Sequence, residues 1–109
     1  MPVTKIKLHE TMTYREHAIT SKSFSRKLGI DLPFAMYAMA AGESISAEQS
    51  TLTRLFEVVD GTLTVQFADE SQQTVATVEM LVVPANTVHT LLAAQPCQFI
   101  QFEDPGWSS

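Results

Sequence analysis

The chain reads as an all-β protein: an antiparallel β-barrel or jelly roll of about eight short strands with little helix. Three observations predict this. Short apolar or alternating runs recur over about 80 residues. Turn residues separate them, among them Gly42, Gly61, Pro84 and Pro96. No stretch of helical period is long enough to act as the crossover that parallel strands require.

Taken in order, residues 11–17 predict one helical turn, with Thr13 as cap and Glu16 three positions on. Residues 21–30 alternate around Phe24 and Leu28 and predict a strand, interrupted by Asp31 and Pro33. Residues 34–41 are nearly all apolar and end at Gly42, which opens a polar loop. Residues 53–60 form a strand that stops at Gly61. In 62–68, Leu63, Val65 and Phe67 alternate with Thr62, Thr64 and Gln66, the pattern of a sheet buried on one face. Asp69, Glu70 and Ser71 make a turn, and 72–78 a weaker strand rich in Thr and Val. The run 80–83 stops at Pro84, which has no N–H for a ladder. Residues 88–93 and 97–102 complete the set. The segments are therefore 1–32 (N-terminal segment and first strand or strands), 33–103 (barrel core) and 104–109 (tail), in one domain. Trp107 in the tail is expected to fold back onto a groove or a subunit contact.

Composition narrows the function classes. A chain of 109 residues, 45% hydrophobic and 17% charged, suits one globular core. A net charge of −5 with seven Lys plus Arg argues against nucleic acid, whose phosphates must be met by cations, and against an anionic membrane surface. Cys97 is the single cysteine, so no intrachain disulfide can form. The first ten residues hold Lys5, Lys7 and Glu10 and no apolar core segment, so no secretory signal is expected. No apolar run approaches the ~20 residues of a membrane span. The expectation is a cytoplasmic protein.

The stretch Pro84-Ala85-Asn86-Thr87-Val88-His89, taken with Gly42 and Gly61, resembles the two motifs of the cupin family of small β-barrels. The resemblance covers residues 34–103. In the family, the first motif supplies two His and a Glu and the second a further His, all bound to a metal. Here the first two His positions hold Glu48 and Ser50, the Glu position holds Arg54, and only His89 matches. In the second motif Pro84 is kept, while Val78, Asn86 and Ala93 replace two glycines and an Asn. The spacing is preserved and most of the ligand chemistry is gone. The resemblance also implies a homodimer. Phe99, Ile100 and Phe102, or residues 34–39, are the apolar strands that could cover one another across a two-fold axis.

A stable transition-metal site needs three or four His, Cys or carboxylate ligands. The motif positions offer His89 and Glu48; Ser50 is a weak ligand, and a guanidinium has no lone pair to give. No cofactor is expected; a divalent metal, if held, would sit on His89 and Glu48. Arg54, Phe56 and Val58 share one strand face. The resemblance implies that Arg54 points inward, where an unpaired charge is costly. Glu48 is then the expected ion-pair partner; the alternative is that Arg54 snorkels outward and Glu48 stays in water. The ligand-pocket candidates are Glu48, Ser50, Arg54, Phe56 and His89, with Phe34, Met36, Leu91 and Phe99 as further apolar lining. An inward Arg54 would suit a small anionic carboxylate, and His89 could add a hydrogen bond or proton. A Ser50–His89 nucleophile pair lacks any supporting local motif, and Cys97 reads as a buried inert thiol.

Three functions follow: a cupin-like small-molecule binding or accessory protein with its metal site lost; a cupin enzyme of isomerase, lyase or dioxygenase type using His89 and Glu48 with a weakly held metal; or a dimeric interaction module without ligand.

Overall fold

The structure, a computed structural model, describes residues 3–104. The expectation about Trp107 lies outside the described residues. Among the described residues nine strands are formed: β1 (Ile19–Ser23), β2 (Phe34–Met39), β3 (Ser44–Glu48), β4 (Arg54–Asp60), β5 (Thr62–Phe67), β6 (Gln72–Ala76), β7 (Met80–Val83), β8 (His89–Leu92) and β9 (Cys97–Glu103). They make two antiparallel sheets, a five-stranded β1-β2-β9-β4-β7 and a four-stranded β3-β8-β5-β6. The all-β jelly roll predicted from the turn punctuation is what forms.

The N-terminal third departs from expectation. The helical turn is α1 (Leu8–Thr11) rather than 11–17. Residues 21–30 are not one strand: β1 ends at Ser23, and Ser25–Leu28 form a second turn, α2, closed by Gly29 at φ +69°. Phe24 and Leu28 are four apart, so they share a face of a helical turn as readily as alternation suits a strand. The strand β3 arises where a polar loop was expected. It has no apolar stripe because it is an edge strand paired only with β8, with Ser44, Ser46 and Ala47 exposed.

Packing sorts each central strand into two faces. Inward lie Met39, Phe56, Val58, Leu63, Val65, Leu91, Cys97 and Phe99. Phe56 and Phe99 are wholly buried, each contributing on the order of 1.5–3 kcal/mol by transfer, and they meet edge to face. The outer face of the larger sheet carries Met36, Val59 and Ile100, and is covered by Ile6, Leu8, Met12, Phe24 and Leu28. Phe34 and Met36, expected in the interior lining, therefore belong to this outer layer; Phe56, Leu91 and Phe99 do face inward. Strands β2 and β9, considered as apolar edges for dimerisation, are flanked by strands on both sides. The edges are β1, β7, β3 and β6, and β7 shows exposed Met80 and Val82.

The two ends of the sandwich differ. At one end Gly61 (φ +76°) passes so close to the 96–97 backbone that a Cβ would stand 2.4 Å from the Pro96 carbonyl oxygen. The Tyr14 hydroxyl donates to Asp60 there, and burial followed by that bond raises the Tyr14 pKa. Burial, with Asp60 next in weight, pushes the Cys97 thiol up to about 11. At the other end, the mouth, β4 and β8 begin and β3 and β9 finish.

Candidate functional site

The mouth gathers the motif residues in part because the loop before β8 holds a left-handed backbone without a glycine. Asn86, in place of a glycine, has φ +64°, a conformation Asn tolerates better than most residues. Its N–H donates to the Ser50 carbonyl at 2.7 Å, tying the loop before β8 to the loop before β4. Val78, in place of the other glycine, also has φ +64°, a strained setting for a β-branched residue, but its turn lies away from the mouth, its N–H donating to the Val58 carbonyl at 2.9 Å. In β3, a register shift between Ile45 and Glu48, with Ala47 at φ +51°, brings Glu48 opposite His89. Paired residues present their side chains on one face, so Glu48 and His89 share a side.

Arg54 is the centre of the cluster, its side chain 13% exposed. Its Nη1 lies 3.3 Å from Nε2 of His89, which is 1% exposed and belongs to the opposite sheet. His89 Nδ1 stands 2.8 Å from the Thr87 carbonyl oxygen. A carbonyl can only accept, so Nδ1 carries the proton and Nε2 offers its lone pair to the Arg54 N–H. The ring also packs edge to face on Phe56. Arg54 thus points inward, as the resemblance implied.

Its ion-pair partner is not the expected Glu48. Arg54 and Glu103 are directly opposed in the β4·β9 ladder, and Arg54 Nε lies 3.6 Å from Glu103 Oε2. That Nε is sealed from solvent and makes no hydrogen bond, so charge alone holds it there. Glu103 Oε2 also accepts from the Ser50 hydroxyl at 2.8 Å, and the Ser50 oxygen takes the Leu52 N–H at 3.0 Å. Ser50 is therefore a brace for Glu103, and its pairing with His89 as a nucleophile does not form. Glu48 lies near enough to act on Tyr37, an inward residue stacked on Phe99 at 5.1 Å. Burial raises the Tyr37 pKa, Arg54 opposes the rise, and Glu48 and Glu103 reinforce it.

The residues present do not fit the metal that the resemblance implies at positions 48, 50, 54 and 89. A metal on His89 would need Nε2, and a guanidinium already meets that atom. Among the described residues no three His, Cys, Asp or Glu side chains converge as a metal site.

Beside the cluster a cleft of about 290 Å³ opens at the mouth. Phe34, Tyr37, Gln101 and Glu103 line it, with Arg26 of α2 and Asp31 also in its wall. None of the five pocket candidates lines it; the cleft meets their cluster through Glu103. Tyr37, Gln101 and Glu103 were missed by sequence reasoning. Placing Met36 on the inner face put Tyr37 on the wrong one, and the inward parity of Phe99 already implies Gln101 and Glu103.

No family model matches the chain, and no curated protein matches it. Solved structures do. A cupin superfamily protein from Desulfitobacterium hafniense is similar at 21% identity and TM-score 0.82, covering 94% of this chain and 93% of that one. A conserved protein of unknown function from Streptococcus pyogenes gives 16% and 0.83, covering 99% and 92%. A cupin 2 conserved barrel domain protein from Leptotrichia buccalis gives 18% and 0.79, covering 94% of this chain and 49% of the other. At such identities the likeness establishes the fold: this chain is a small cupin-like barrel. The fold does not choose among functions. Among the described residues no helix is long and apolar enough to cross a membrane.

Proposed function

We propose that this protein is a metal-free cupin that binds a small neutral molecule at the barrel mouth, as carrier, sensor or accessory subunit. The observation that carries this is the Arg54 Nη1–His89 Nε2 contact at 3.3 Å, a fixed organic cation where the family places metal ligands. The adjoining cleft, near the low end of the roughly 300–1,000 Å³ typical of ligand sites, supplies the room. The carboxylate ligand expected from Arg54 alone loses its support once Glu103 is the arginine's partner. Arg54 already has its counter-ion in Glu103, so that guanidinium offers an added anion no unpaired charge. Acid–base chemistry by His89 with Glu48 is the weaker reading, because both ring nitrogens already have partners. We place the protein in the cytoplasm as a homodimer, for which the exposed apolar row on edge strand β7 is the natural seam.

Metal analysis of protein purified without chelator, paired with a thermal-shift screen of neutral and anionic compounds, tests this. The expected result is substoichiometric metal, a melting temperature indifferent to chelator, and stabilisation by neutral polar compounds. Stoichiometric Fe, Mn, Ni or Zn whose removal lowers the melting temperature would overturn it. Silence across the whole screen would favour the ligand-free interaction module.

A further inference from the structure

The geometry points to a recognition site for a carboxamide, lactam or urea in the mouth cleft, read by Gln101; this rests on the small-molecule reading above and names the ligand's chemistry. Gln101 is 9% exposed, lines the cleft, and its side-chain amide makes no hydrogen bond to any described residue. That amide is not sealed from solvent as Arg54 Nε is; it reaches the open space of the cleft. The neighbours explain why this one is uncovered: in the ladders Gln101 is opposed by Ala35 on β2 and by Phe56 on β4. Alanine is too short to cover the amide and the phenyl ring has nothing to bond it with, so the polar group is left toward the space that Ala35 also borders.

The available groups define the ligand. The Gln101 amide offers N–H donors and one acceptor oxygen side by side, which complements a second amide edge in the same plane. The Tyr37 hydroxyl has no hydrogen-bond partner among the described residues and can act either way. Glu103 has Oε2 committed to Ser50 and Arg54, leaving Oε1 to take one N–H. Together these three groups suit a C=O beside an N–H, with Phe34 as an apolar wall and Arg26 and Asp31 adding one charge of each sign to the lining. Because Arg54 neutralises Glu103, the amide edge need carry no charge. A site built to hydrogen-bond an N–H rejects the analogue without it far more strongly than an apolar pocket rejects a change of size.

Pyrrolidone and ethyleneurea are the probes, with cyclopentanone as the acceptor-only control and propionate as the anionic one. Thermal shift and calorimetry on the full chain, wild type, Gln101→Leu and Ala35→Leu, give the readout. The cyclic amides should raise the wild-type melting temperature and bind at least roughly tenfold more tightly than cyclopentanone. Both variants should lose that binding, Gln101→Leu by removing the reader and Ala35→Leu by filling the space beside it while leaving the amide in place. Equal binding of cyclopentanone, or cyclic-amide binding untouched in both variants, overturns the inference. If neither cyclic amide binds but another neutral compound does, the ligand class falls and the small-molecule reading stands. If nothing binds, both fall.

Discussion

The two ends of this sandwich are built from the same strands and hold opposite chemistry. Strand β9 starts at Cys97, wholly buried, and finishes at Glu103, in an ion pair at the mouth. Strand β4 runs the other way, from Arg54 at the mouth to the stretch where Val58 is buried. From Arg54 to Val58 the inward-facing positions of β4 stand opposite those of β9, before the register shifts at Val58/Asp60. What separates Phe99 from Glu103 is distance from the opening, where water can solvate part of a charge. An inward parity is therefore a statement about direction; depth along the barrel decides whether the residue is packing or chemistry.

The largest test of this contrast is Phe99→Ala in the middle of the core. The side chain is wholly buried against Phe56 and Tyr37, so truncation should cost about 3–5 kcal/mol in urea unfolding. A loss below about 1 kcal/mol would mean the interior is looser than the packing implies.

At the mouth, Arg54→Met leaves Glu103 half-buried without its cation. With Arg54 13% and Glu103 24% exposed, partial screening should hold the cost to about 1–3 kcal/mol. Adding Glu103→Gln should recover part of that loss, because an unpaired carboxylate is then absent. If Arg54→Met and Glu48→Gln show the coupling instead, the partner assignment is wrong.

The smallest effect belongs to the closed end. The folded Cys97 pKa, about 11, lies above the ordinary 9.0. A raised folded pKa means the folded state keeps its proton where the unfolded thiol gives it up. That contribution is fully present below pH 9 and declines as pH rises toward 11. Tyr14 and half-buried Tyr37, also raised, add the same sign. Denaturation curves across this range should therefore fall less steeply with pH for Cys97→Ala than for wild type. Native Cys97 should also resist thiol reagents near neutral pH and react on unfolding. Rapid labelling of the native protein would refute the closed end.

The fold and most strands from residue 34 onward were legible in the sequence because alternation and turn chemistry are local, whereas the N-terminal turn and the 21–30 segment were misread. The apolar run 80–83 stops where Pro84 stops it, and Gly61 is a glycine because the Pro96 carbonyl leaves no space for a Cβ. Retained spacing around Gly42, Pro84 and His89 was enough to place the barrel even with two motif glycines exchanged for Val78 and Asn86. Strand β3 was not legible, since an edge strand owes its form to the ladder with β8 rather than to an apolar stripe of its own. The partner of Arg54 was not legible either: Glu48 is near in sequence, while Glu103 is near because the β4·β9 register sets the two side chains opposite one another. The chain alone decided most of the strands from residue 34 onward and which of their side chains alternate. The tertiary structure alone decided who faces whom across a ladder, because register is settled by the packing of all the strands together.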